Sequence, residues 1–127
     1  MKPQFSKHYT RDEAQALLPQ IREWLAQLRV VQSAMEKDEH KLRPIIAEGQ
    51  DAGGATVNGY FLTVANLRDL LAEFARREIV LKDLHRGLID FPALMGGREV
   101  FLCWEDGEEL VEFWHDLDTG YAGRERI

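Results

Sequence analysis

The stretch LLPQIREWLAQLRVVQSAMEKDEHKLRPI, residues 17–45, decides the fold of this chain. Its Leu17, Ile21, Trp24, Leu28, Val31, Met35, Leu42 and Ile45 recur at alternating steps of four and three, and Asp38 is the one polar intrusion. That spacing lays them along one stripe of an α-helix and makes the heptad seam of a helix packed lengthwise on another. The partner lies downstream, where Tyr60, Val64, Leu67, Leu71, Phe74, Glu78, Leu81 and His85 follow the same rule, broken by Glu78 and finally by His85. Between the two series AEGQDAGGATVNG, residues 47–59, is too poor in apolar side chains to pack and rich in glycine, so it turns the chain. A long antiparallel two-helix hairpin is expected, with a first helix over 10–47, a Gly-rich loop over 48–59 and a second helix over 60–84.

Upstream, residues 1–9 look like a tail, and Thr10 with Glu13 three positions later makes a capping box that starts the first helix. Pro19 removes a backbone donor and crowds the preceding turn, so a break or kink is expected there, and Pro44 is expected to bend the helix near its end. Antiparallel pairing about the Gly-rich tip would bring Asp38 beside Arg68. Leu18, Leu25, Ile46, Leu62 and Leu70 widen the apolar stripe beyond what two helices cover between them. The C-terminal third is expected to cover part of the excess, and a second copy of the chain the rest, as a four-helix homodimer across a two-fold axis.

After Leu84 the texture changes. GLIDFP, REVFLCW and LVEFWHD carry β-branched and aromatic residues between turn signals at Ala93–Gly97 and Asp106-Gly107, which predicts a small antiparallel meander of about three strands over 85–127. Leu110–His115 is read as a strand in preference to a short helix. The fold class is therefore α+β, within a single domain spanning 1–127, a length suited to one core.

Composition narrows the function. A net charge of −6 and the absence of any block made only of Lys and Arg argue against nucleic acid as partner. No apolar run has the roughly 18 residues of a membrane span, and the opening MKPQFSKHYT lacks a signal-peptide core, so a cytoplasmic protein with no membrane partner is expected. The single cysteine, Cys103, cannot form an intrachain disulfide and sits in the apolar run VFLCW, where a thiol behaves as a small buried hydrophobe.

Polar candidates lie in the β region. If Pro92 stands opposite Arg98 and Glu105 opposite Glu108, strict alternation puts Asp90, Arg98 and His115 on one sheet face beside Val100 and Phe113. Such a trio could hold an anion, a metal or a reacting proton; in the structural alternative Asp90 pairs with Arg98 and His115 bonds a backbone carbonyl. The histidines show no close ligand spacing, so no metal and no cofactor is predicted, and Asp90, Glu108 and His115 would be the ligands to gather if one bound. Gly120-Tyr121-Ala122-Gly123-Arg124 is a second anion-binding candidate; its simpler alternative is a tail folded back with Arg124 on a carboxylate. His85, at the end of the second seam, is read as a helix-end contact. No GxSxG, Cys/His nucleophile pattern, P-loop or dinucleotide fingerprint occurs, so nothing supports an enzyme.

Gly87-Leu88-Ile89-Asp90-Phe91-Pro92, Leu102-Cys103-Trp104 with Gly107-Glu108, Trp114-His115, and Gly120 with Gly123-Arg124, in this order and preceded by YTRDEAQALLP, resemble the bacterial family catalogued as domain of unknown function 2203. The resemblance covers most of the chain, implies that helices and β region form one unit, and carries no activity onto these residues. The expected function is a structural or protein-interaction module that homodimerises through its helices. The alternative is a ligand- or metal-binding protein, or an enzyme, using the polar cluster on the C-terminal sheet.

Overall fold

The computed structural model describes residues 2–47, 49 and 54–127. Two contacting helices, α1 (Arg11–Ala47) and α2 (Gly54–Arg76), precede strands β1 (Val80–Asp83), β2 (Leu88–Met95), β3 (Arg98–Glu105), β4 (Phe113–Asp116) and β5 (Glu125–Arg126). The strands form one five-stranded antiparallel sheet in chain order. The architecture is α+β, as the periodicity predicts, with two strands more than the three expected.

α1 begins on its capping box. Thr10 N–H donates to Glu13 Oε1 at 3.0 Å and Glu13 N–H to Thr10 Oγ1 at 3.1 Å, which satisfies two donors that a helix start otherwise leaves free. The expected break at Pro19 does not occur, and the helix runs unbroken through Pro19 and Pro44. Both prolines are exposed, so the carbonyl each one frees can turn to water, and the buried stripe on the other side holds the helix together. Of the seam read from the sequence, Ile21, Trp24, Leu28, Val31 and Leu42 are buried, and Leu18 and Leu25, which widen it, are buried beside them.

α2 departs from its expected limits at both ends. It starts at Gly54, inside the segment read as loop, while residues 48 and 50–53 of that loop lie outside the described residues. It stops at Arg76 instead of 84, because Glu78 takes a left-handed conformation (φ 57°). Ile79 N–H then donates to the Phe74 carbonyl at 3.0 Å, and Ile79 and Phe74 are both buried. This is the six-to-one bond and apolar contact of a Schellman ending, usually made with glycine. The chain beyond it, where the heptad spacing places Leu81 on a helix, is β1. Trp24 meets Phe74 edge-on at 5.3 Å and Tyr60 O–H donates to Glu39 at 3.0 Å, so Asp38 is level with Tyr60 and about two turns from Arg68. The expected Asp38–Arg68 contact is not made.

The strand registers also differ from expectation. The β2–β3 turn is the tight Gly96-Gly97 pair, which sets Met95 against Arg98 and Pro92 against Phe101. The second turn does close between Glu105 and Glu108, whose N–H donates to the Glu105 carbonyl at 3.0 Å. Residues 110–112 then remain irregular, and the strand expected over 110–115 forms only as Phe113–Asp116, with His115 opposite Phe101. Arg29 of α1 ties two turns together, through Asp106 at 2.8 Å and the Leu84 carbonyl at 3.2 Å. Those turns approach so closely that a β-carbon on Gly87 (φ +67°) would lie 2.5 Å from that of Asp106.

One sheet face packs on the helices. Ile89, Phe91, Ala93, Val100, Leu102 and Trp104 meet Leu18, Ile21, Leu25, Leu28, Leu70 and Phe74 in one cluster. α1, about 55 Å long for its 37 residues, reaches well past the sheet. The N-terminal segment read as a tail crosses the second face: Phe5 packs edge-on against Phe101 at 5.4 Å, and Tyr9 N–H donates to the Pro92 carbonyl at 2.7 Å.

Glu99 fastens this strap by accepting from Gln4 N–H (2.7 Å), Phe5 N–H (3.1 Å) and His8 Nε2–H (2.7 Å). Burial alone would raise the Glu99 carboxyl, but these bonds hold it below the usual glutamate range. A carboxyl depressed in the folded state stabilises above its unfolded pKa, and the contribution is lost as pH falls through the lower folded value. Amide exchange at Gln4 and Phe5, corrected for intrinsic rates, should be protected at pH 6 and lose protection as pH falls below the usual glutamate range, while Tyr9 stays protected. Equal protection at pH 6 and in acid would rule out Glu99 as the fastening.

Candidate functional site

The second sheet face carries Asp90, Phe101, Cys103, Phe113 and His115, because alternation and the observed registers place them together. Asp90 on β2 pairs directly with Cys103 on β3, and Cys103 in turn with Phe113 on β4. His115 stands one pair further along, so its contact with Asp90 passes diagonally over the central strand, between Phe101 and Cys103. The small thiol leaves room for that crossing.

Asp90 and His115 are each 1% exposed, the two buried polar side chains among the described residues. His115 Nδ1 lies 2.7 Å from the Asp116 carbonyl oxygen, which can only accept, so Nδ1 carries a proton. His115 Nε2 lies 3.0 Å from Asp90 Oδ1. One more proton must occupy that contact, on one atom or the other, since two lone pairs do not face each other at that distance. The pair is then neutral as a whole, which suits its burial. Burial pushes the Asp90 carboxyl above the usual aspartate range, with His115 and then Lys82 opposing it.

Cys103 completes the cluster. Its sulfur, Asp90 and His115 offer ligand atoms within 4.8 Å of one another. Burial, followed by the charge of Asp90, pushes the thiol up to about 12, with Arg124 opposing. At neutral pH it is a thiol and no ready nucleophile.

Around the cluster, Glu108 holds Arg124 through two bonds, of 3.1 and 2.8 Å, and accepts the Glu105 N–H at 2.8 Å. The Arg124 guanidinium lies 3.9 Å from the Phe113 ring centre and 4.2 Å from that of Tyr121. Arg124 thus closes the outer side of Cys103, with its charge matched by Glu108. The glycine-rich segment at 120–124 is a fold-back, with Tyr121–Gly123 as a short 3-10 turn.

Arg98 does not join the site. It is exposed, pairs with Asp116 at 3.1 Å and lies over the Trp114 ring. The physical reason is register: with Phe101 instead of Arg98 opposite Pro92, β3 is displaced by an odd number of residues, which turns Arg98 and Val100 to the other face and Cys103 to this one. The β3–β4 register is displaced by an odd number too, so His115 returns to the face of Asp90. Glu108 and Arg124 lie beside the cluster as a pair. His85 is exposed in the β1–β2 turn. Cys103 was legible as buried but not as a member of the cluster; the missing signal was the tight Gly96-Gly97 turn.

A second candidate surface lies on the hairpin. GATVNGYFLTVANL, residues 54–67 of α2, contains no charged residue in a chain that is 30% charged. Phe61 and Leu62 within it are 63% and 72% exposed. A separate surface groove of about 530 Å³, lined by Lys2, His8, Leu94, Arg98 and Glu99 among others, does not reach Asp90, Cys103 or His115. Among the described residues no helix is long and apolar enough to cross a membrane.

Comparison with curated proteins and with solved structures gives no match. The order of motifs from Tyr9 to Arg124, now seen to build one helical layer, one sheet and the cluster between its strands, agrees with a family model that matches residues 7–127; the chain belongs to the family described as uncharacterized conserved protein (DUF2203).

Proposed function

We propose that this protein is an interaction module that homodimerises through its helical hairpin. The observation that carries the proposal is the uncharged, exposed stretch Gly54–Leu67. α1 covers one side of it, and Phe61, Leu62 and Ala65 point away from that side. A helix surface that needs no partner normally carries charge; this one presents two large apolar side chains.

A second copy is the occupant that fits the charge. Two chains of net charge −6 repel each other, and a neutral strip is where they can approach at least cost. An antiparallel crossing centred between Phe61 and Leu62 sets Phe61 against Leu62 of the partner subunit. It also brings Asp69 to the N-terminal end of the partner's α2, where the helix dipole favours a carboxylate.

Sedimentation equilibrium tests this. The expected mass at micromolar concentration is twice the 14.6 kDa of one chain. Leu62→Glu, which changes an exposed position, should weaken association about a hundredfold or more while the far-UV circular dichroism of the folded chain stays unchanged, because it buries a carboxylate in each subunit of the pair. A monomer at every concentration, or a dimer indifferent to Leu62→Glu, contradicts the proposal.

A further inference from the structure

We propose that Asp90, Cys103 and His115 form a binding site for a borderline-soft divalent cation of the zinc type. Three independent features of the cluster point there. The donor set is a thiol sulfur, an imidazole nitrogen and a carboxylate oxygen, all within 4.8 Å of one another on three adjacent strands, the mixture that such ions prefer. His115 is already oriented as a ligand: its Nδ1–H is spent on the Asp116 carbonyl, which aims Nε2 at Asp90 and towards the sulfur. A backbone carbonyl on the far nitrogen is the usual outer partner of a metal-bound histidine. The geometry is also close, since four-coordinate zinc sets its donors about 3.3–3.8 Å apart. The Asp90–His115 separation of 3.0 Å has to open slightly, and the sulfur already lies within 4.8 Å of both.

Charge balance explains how such a site tolerates full burial. Without the ion the cluster is neutral, with one proton on sulfur and one shared between Asp90 and His115. With the ion it is neutral again: two positive charges against one thiolate and one carboxylate, with a neutral imidazole. The cation therefore replaces two protons, and the low-dielectric interior sees no change in net charge. Arg124, paired with Glu108 through two bonds, carries its charge already matched and is no ligand.

The test uses the full chain, stripped with a chelator and titrated with cobalt(II) and zinc(II). Cys103 is the single cysteine of the chain, so a thiolate-to-cobalt charge-transfer band reports this residue without any mutation. The expected result is that band saturating at one cobalt per chain, bleached by one equivalent of zinc, with two protons released per metal in weakly buffered solution near pH 7. Cys103→Ser should abolish the band and weaken zinc binding at least tenfold. Absence of the band in the unmutated chain at one equivalent overturns the proposal. So does zinc binding of equal affinity in Cys103→Ser, which would place the metal elsewhere on the surface.

Discussion

His115→Ala is expected to lower the stability of the metal-free protein by about 3–5 kcal/mol, measured by urea unfolding at pH 7. The ring is 1% exposed and is the partner of the Asp90 carboxyl, which is equally buried. Its loss leaves that carboxyl to be protonated in isolation and opens a space beside Phe101, whose ring lies 5.5 Å from the imidazole. It also frees β4, an edge-ward strand of four residues, from its side-chain tie across the sheet to β2. Asp90→Asn should be milder, about 1–2 kcal/mol, because the amide can still donate to Nε2. If His115→Ala costs less than about 1 kcal/mol, or less than Asp90→Asn, the buried pair does not contribute in the way its geometry implies.

Trp104→Ala should have an effect of similar size, about 3–5 kcal/mol, or a fall in melting temperature of about 10–20 °C. Trp104 is fully buried at the end of β3, where the indole fills the space between sheet and helices. Its Nε1–H donates to the Glu108 carbonyl at 2.9 Å, and the Arg22 guanidinium of α1 lies 5.5 Å from the ring centre. One side chain thus joins the core, the 105–108 turn and the helix that covers both. Trp104→Phe keeps most of the apolar contact and loses the donor, so a loss of about 1–2 kcal/mol is expected. Circular dichroism is the measurement of choice, since Trp24 and Trp114 would complicate fluorescence. Equal losses for both variants would show that the hydrogen bond to Glu108, not the packed ring, dominates at this position.

The parts of the molecule legible in the chain are those governed by local periodicity. α1 was readable from the four-three spacing of Leu17 to Ile45 and from the Thr10–Glu13 box, because helical facing and capping depend on residues within one or two turns. The end of α2 was not, since Glu78 holds a left-handed conformation that sequence normally signals with glycine, and Leu81 satisfies a heptad and a strand alternation equally well. Pro19 misled in the other direction: its local cost is real, but it falls on the solvent side of a helix held by eight buried residues.

The candidate site divides the same way. That Asp90 and His115 share a sheet face was readable only because two odd register displacements cancelled. Arg98 and Cys103 on the intervening strand felt one displacement alone and changed places. Sequence by itself determined the helical layer, the presence of an antiparallel sheet after it, and the burial of Cys103, all of which follow from apolar pattern over neighbouring residues. Tertiary structure alone decided which polar residues meet. Contacts across three strands depend on turn lengths, and a single residue added to or removed from a turn exchanges the two faces of everything beyond it.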